Sequence, residues 1–192
     1  MKKIAVIGGG KIGSTIVDLL SHTGDYDVTV VDRSREQLDR LETRETVERA
    51  VADITDSAAL ERILDGKFAV LSAAPYHLTT RVAHAAKAQG VHYLDLTEDV
   101  ASTRVVKQLA ADAQTAFIPQ CGLAPGFITI VAYDLARHFD SLQDVRMRVG
   151  ALPKYPANAL NYNLTWSTDG VINEYCEPCE AIVNGQLKEV PP

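Results

Sequence analysis

Apolar runs and amphipathic stretches alternate along the first 120 residues. Ile4-Ala5-Val6-Ile7, Val28-Thr29-Val30-Val31 and Phe68-Ala69-Val70-Leu71 are nearly unbroken apolar runs, the pattern of strands buried on both faces. Between the first two, Ile12, Ile16, Val17, Leu19 and Leu20 recur at helical spacing, which predicts a helix starting at about Gly10. The same reasoning predicts helices over 34–41, 57–64, 78–88 and 102–113, and strands over 47–51, 93–96 and 116–118. Asp56 is placed to open the helix over 57–64 and Gly90 to end the one over 78–88. Six strands joined by five right-handed helical crossovers imply an α/β fold: a Rossmann-type, doubly wound parallel sheet with its ligand outside the carboxyl ends of the strands.

The pattern changes after Pro119. "GFITIVAYDLARHF", residues 126–139, reads as a strongly apolar helix, and "VRMRV" at 145–149 alternates like a half-exposed antiparallel strand. A second alternating strand is expected at 160–167, a short helix at 170–175 and a strand at 181–183. The expected division is a nucleotide-binding domain over 1–125 and the start of an α+β domain over 126–192, with too few strands for a core of its own.

Between the first strand and the first helix stands Gly8-Gly9-Gly10-Lys11-Ile12-Gly13, a match to G-x-G-x-x-G in its proper strand–turn–helix setting. A helix beginning there directs free N–H groups and the positive end of its dipole, along with Lys11 and Ile12, toward the space over the turn. A pyrophosphate fits that space. Gly8 permits the tight turn, Gly10 lets backbone approach the phosphates, and Gly13 lets the helix pack on the strand. The acid that completes the fingerprint is Asp32, nineteen positions beyond Gly13 at the end of the second strand. Its carboxylate can accept from both ribose hydroxyls and repels a 2′-phosphate, so NAD is expected in preference to NADP. Arg33 pulls the other way, since an arginine there can pair with that phosphate or stack on adenine. The alternative is a solvated Asp32–Arg33 pair that merely opens the next helix.

Composition narrows the function classes. The 192 residues carry a net charge of −6 with no basic cluster, which argues against nucleic acid and anionic membrane as partners. No apolar run approaches the roughly 18 residues of a membrane span. The chain enters a strand within three residues of Met1, so no cleaved signal is expected, and three cysteines read as reduced thiols in a cytoplasmic protein.

Three strand ends should face the reactive end of the cofactor. "SAAPYHLTT" carries Ala73, Ala74 and Pro75 past it and offers Tyr76 and His77; "LDLTEDV" offers Thr97, Glu98 and Asp99; "PQCGLAPGF" supplies a loop shaped by Gly122, Pro125 and Gly126. Tyr76, His77, Glu98 and Asp99 are the catalytic candidates. The plainer reading is that the carboxylates cap the following helix. Cys176 and Cys179 form a C-x-x-C without a second pair at zinc spacing, so two half-buried thiols around Pro178 are expected. No H-E-x-x-H, G-x-S-x-G or Y-x-x-x-K occurs, and no metal is expected.

"AAPY", "YLDLTED", "GLAPGF" and "TWSTDGVINEYCEPCEAIVNGQ" together resemble the saccharopine dehydrogenase family, lysine 6-dehydrogenases included, over essentially the whole chain. The resemblance implies an NAD(P)-dependent oxidoreductase acting on a carbon–nitrogen bond of an amino acid or its secondary-amine conjugate, lysine or saccharopine among them. It implies Gly8, Gly10, Gly13 and Asp32 at the cofactor, Asp53 near adenine, and the strand-end loops at the nicotinamide. It also implies a second domain used for substrate binding and dimerisation, much of which these residues lack, so a homodimer through 126–190 is expected. The reading from a different class is a regulatory module that binds NAD and performs no chemistry. Such a module needs only the sheet to about residue 120.

Overall fold

The computed structural model describes residues 1–150, 152–164 and 166–191. In chain order the elements are β1 (Lys2–Ile7), α1 (Lys11–Thr23), β2 (Tyr26–Asp32), α2 (Arg35–Asp39), β3 (Glu48–Val51), α3 (Ser57–Leu64), β4 (Ala69–Ser72), α4 (Tyr76–Gln89), β5 (His92–Asp95), α5 (Val100–Ala110) and β6 (Phe117–Ile118). They are followed by α6 (Phe127–Ala136), α7 (Thr168–Glu174), β7 (Cys179–Val183) and β8 (Gln186–Val190).

The first six strands form one sheet in the order β3-β2-β1-β4-β5-β6, parallel throughout. Successive residues of a strand point to opposite faces, so unbroken apolar runs supply two cores. Ile4, Val6, Val28 and Val30 pack with Val17 of α1 and Leu38 of α2 on one face. Ala5, Ile7, Val31 and Val70 pack with Leu60 and Leu64 of α3, Val82 and Ala86 of α4, and Val106 of α5 on the other. Chain order reverses between β1 and β4, and a crevice opens beyond the strand ends at that reversal.

Helix ends follow local chemistry. Asp56 opens α3 by accepting from the Ala58 and Ala59 amides, Ser34 opens α2 by accepting from Gln37, and Gly90 ends α4 in the left-handed conformation. α2 stops at Asp39, short of the expected 41, and α4 begins at Tyr76, one residue after Pro75.

Beyond the sheet, two expected strands are not formed. Residues 145–149 are irregular and exposed, because an alternating strand needs a partner and none lies beside it among the described residues. In the stretch expected at 160–167, the Asn158 side chain takes the backbone first: it accepts from the Leu160 and Tyr162 amides and donates to the Tyr162 carbonyl, with Asn161 at φ 50°. Thr165, inside that stretch, lies outside the described residues. The expected strand at 181–183 is part of an antiparallel hairpin, β7–β8, turned by Asn184 and Gly185, both at positive φ. Cys176 and Cys179 are exposed rather than half-buried, since the hairpin is a two-stranded sheet and none of the described residues covers that joint. The α6 helix buries no residue, and Ile130 and Tyr133 are 69% and 70% exposed.

A Cβ on Gly13 would collide with the Gly8 carbonyl oxygen, whereas one on Gly10 meets nothing within 4 Å. Gly13→Ala should therefore cost about 2 kcal/mol or more, as forced overpacking does. Gly10→Ala should stay within about 1 kcal/mol of the native protein. Denaturant midpoints of the two variants check this; equal midpoints would mean that α1 does not depend on the close approach.

Candidate functional site

The crevice at the chain reversal has a volume of about 840 Å³. Its floor is the glycine turn. Gly8 stands at φ 102°, in the left-handed half of backbone space, and donates its amide to the Val31 carbonyl at 2.8 Å. Gly10 sits where α1 begins, with no side-chain cap, so the first amides of the helix stay free to meet a ligand. The empty volume at its missing Cβ is the approach a pyrophosphate requires. These residues fit a dinucleotide.

Asp32, half-buried at the end of β2, wires the turn to the next loop. One carboxylate oxygen accepts from the Gly9 amide at 2.8 Å and the other from the Ser34 amide at 2.9 Å. A carboxylate has about four acceptor positions, so two remain for ribose hydroxyls. Gln37 completes the clasp by donating to the Gly9 carbonyl at 2.8 Å. Arg33 is exposed on the crevice rim. Asp53 also lines the crevice, exposed, and hydrogen bonds from the Thr55 amide and hydroxyl hold its carboxyl below the usual range.

The lining brings together every residue expected at the cofactor: Gly8, Gly10, Lys11, Ile12, Gly13, Asp32, Arg33, Asp53, Ala73, Ala74 and Pro75. Tyr76, His77, Thr97 and Glu98 line it too. The rings of Tyr76 and His77 meet edge to face, 5.5 Å between centroids. Asp99 is absent from the lining. It is buried, caps α5 by accepting from the Ser102 amide at 2.7 Å, and accepts from the Asn173 side chain at 3.3 Å.

Glu98 is half-buried, and burial, with the negative charges of Asp99 and Asp95 adding to it, pushes its carboxyl above the usual range. Glu174 of α7 is pushed the same way by burial and by Glu98. A carboxyl raised in this manner inside a crevice is poised to exchange a proton nearer neutrality than a solvated one.

Sequence reasoning passed over two groups. Asp95, fully buried at the end of β5, accepts from the Tyr93 hydroxyl at 2.8 Å and from the Thr97 and Gln120 amides at 3.1 Å, while its carbonyl accepts from the Cys121 amide at 2.7 Å. It thereby anchors the 119–126 loop, with Gln120 at φ 61°. Burial raises its carboxyl against those hydrogen bonds. Burial also raises the nearby Cys121 thiol. Gly122, Pro125 and Gly126 belong to this loop but do not line the crevice. The second missed group is Trp166, Ser167, Asp169 and Gly170, which form a further wall. Ser167 caps α7 through the Gly170 amide at 3.1 Å, a sequence signal for a helix start that carries no hint of where the helix docks. Among the described residues no cluster of His, Cys, Asp and Glu could hold a metal ion, and no helix is long and apolar enough to cross a membrane.

Comparison with known proteins agrees with this geometry. Residues 4–118 match the model described as saccharopine dehydrogenase NADP binding domain, and residues 122–192 match the saccharopine dehydrogenase C-terminal domain. Mouse mitochondrial alpha-aminoadipic semialdehyde synthase is 23% identical over 98% of this chain, which spans 21% of that protein. Saccharopine dehydrogenase [NADP(+), L-glutamate-forming] of Saccharomyces cerevisiae is 24% identical over 89% of the chain, which spans 40% of it. The solved apo structure of the saccharopine dehydrogenase (L-Glu forming) from Saccharomyces cerevisiae superposes on the whole chain with a TM-score of 0.70 at 20% identity, and 44% of that structure is covered. The two family matches, together covering nearly all of the sequence, establish that this chain belongs to the saccharopine dehydrogenase family.

Proposed function

We propose that this chain forms the cofactor-binding part of an NAD-dependent oxidoreductase that oxidises a carbon–nitrogen bond of an amino acid, lysine or a saccharopine-like secondary amine. The observation that carries the reading is the continuity of one crevice from the glycine turn, past Tyr76 and His77, to the half-buried Glu98, with Trp166 to Gly170 along its far wall. A module that only sensed a nucleotide has no use for that wall. The nicotinamide, when bound, supplies the hydride acceptor. The chain's own residues do the rest. The amides of α1 hold the pyrophosphate, Asp32 accepts from the adenosine ribose, and Asp53 stands toward adenine. Glu98 takes the proton from the substrate nitrogen, since an amine gives up a hydride most readily from its neighbouring carbon when it is uncharged. Tyr76 and His77 shape the approach. Asp99 acts at one remove, fixing α5 and Asn173.

The yeast relative carries NADP(+) in its name, and the Asp32 geometry motivates a different preference here. Hydrogen bonds to a charged group are worth about 1.5–3 kcal/mol, so NAD should bind about tenfold or more tighter than NADP. Calorimetric titration of both, and of a folded Gly10→Val variant expected to bind neither, tests the cofactor reading. Equal affinities would assign the choice to Arg33.

Because Glu98 keeps its proton more firmly folded than unfolded, its contribution to stability is present in acid and is lost as pH rises through the raised value. Glu98→Gln should therefore lose less stability than the native protein as pH rises above the ordinary carboxylate range. Parallel slopes in thermal melts would show that Glu98 is as solvated as an ordinary carboxylate.

The exposed apolar faces of α6 and of Val145, Met147 and Val149 find no cover among the described residues. Patches above a few hundred Å² are rare on monomers, and two-fold pairing is the commonest assembly. A homodimer through 126–190 is accordingly expected by light scattering, and a clean monomer would overturn it.

A further inference from the structure

The C-x-x-C at Cys176 and Cys179 takes no part in the crevice, yet it occupies a mechanically telling place. Both thiols are exposed. Cys176 rides on the last turn of α7: its amide and that of Glu177 donate to the Asn173 carbonyl at 3.1 and 3.2 Å. The Asn173 side chain in turn reaches Asp99 at 3.3 Å. Cys179 opens β7 and is followed by Glu180, which together with Glu189 of β8 pairs with Arg104 of α5, at 3.5 and 2.7 Å. Each cysteine thus lies within three residues of a polar tie between this segment and α5, and the joint between the ties is Glu177-Pro178. Glu180 and Glu189 outnumber the Arg104 they share, and exposed Glu177 adds to the excess, so the joint carries net negative charge.

We propose that Cys176 and Cys179 are a reversible redox modification site that closes to an intrachain disulfide by exchange with cationic small-molecule disulfides, and that closure restrains α7 against the crevice. In the first step a cysteine thiolate attacks the disulfide, forming a mixed disulfide and expelling one small thiolate. The second cysteine, as thiolate, attacks the protein-side sulfur and expels the other half. Two cysteine thiols are oxidised, one disulfide is reduced to two thiols, and the protons pass to the leaving thiolates. The acidic joint concentrates cationic reagents and repels anionic ones, an effect that salt removes. The crosslink joins the exit of α7 to a strand already pinned on α5, so it limits how far α7 can move. This site is independent of the cofactor reading.

The test is cystamine treatment of the whole chain, with oxidised glutathione as the anionic comparison. Reactive thiols should fall from three to one, leaving half-buried Cys121. The peptide spanning 168–191 should lose two hydrogen masses without an adduct, and dithiothreitol should restore it. Amide exchange within α7 should slow in the oxidised protein. Cys176→Ser should instead retain a cystamine adduct on Cys179, and Cys179→Ser the converse, so one poorly folding variant does not decide the matter. Three surviving thiols, or stable adducts on both cysteines of the native chain, would overturn the site. Unchanged α7 exchange would overturn the restraint, and equal rates for the two reagents at low salt would overturn the cationic preference.

Discussion

The approach of α1 to β1 is the constraint on which the rest depends. With no side chain at Gly13, the helix lies directly on the Gly8 carbonyl, and with Gly8 at φ 102° the chain turns from strand to helix within three residues. That closeness sets the line along which the first helical amides point, and hence where a phosphate can be held. It also fixes the height of Val17 over the sheet, around which one of the two cores is packed. Ala73, whose carbonyl lies beneath Gly8, is drawn into the same arrangement, so β4 and its loop are placed by the turn as well.

Two carboxylates extend this order to the crevice walls. Asp32 holds the glycine turn and the start of α2 with two backbone amides, and Asp95 ties the end of β5 to the 119–126 loop, its side chain accepting from the Tyr93 hydroxyl and from the Thr97 and Gln120 amides. The two differ in burial, and burial decides their chemistry. Asp32 keeps acceptor capacity facing the crevice, whereas Asp95 is sealed and serves as a structural knot. Glu98 is half-buried like Asp32, open enough to meet a substrate and covered enough to hold its proton more firmly.

Most of the sheet was legible because its signals are local. An unbroken apolar run, an Asp before a helix or a glycine after one is a statement about a few neighbouring residues, and α3 was found to the residue on that ground. Asp32 could be placed because its spacing from Gly13 is a property of the strand–helix–strand unit. The two unformed strands and the far crevice wall are statements about partners. The alternation at 145–149 is real, but a pattern of faces cannot supply the strand it must pair with. The capture of Tyr162 and Leu160 by Asn158 depends on backbone conformation, which the alternation at 160–167 does not encode. β8 was missed although Asn184-Gly185 is a strong turn signal, because Gln186 to Val190 carries little apolar character to mark it. Trp166 and Asp169 reach the crevice from far along the chain, and nothing near them in sequence says so.

The β7–β8 hairpin differs from every other strand pairing described here in being local. Its partners are separated by a two-residue turn, while each pair in the large sheet awaits an intervening helix or more. Hairpins of this kind close in about 1–10 μs, whereas parallel sheets must first meet the entropy of long loops. The hairpin can thus form before the large sheet, although two exposed strands alone hold it only marginally. Arg104 of α5, paired with one glutamate from each strand of the hairpin, is what gives this local pairing a fixed seat on the larger domain.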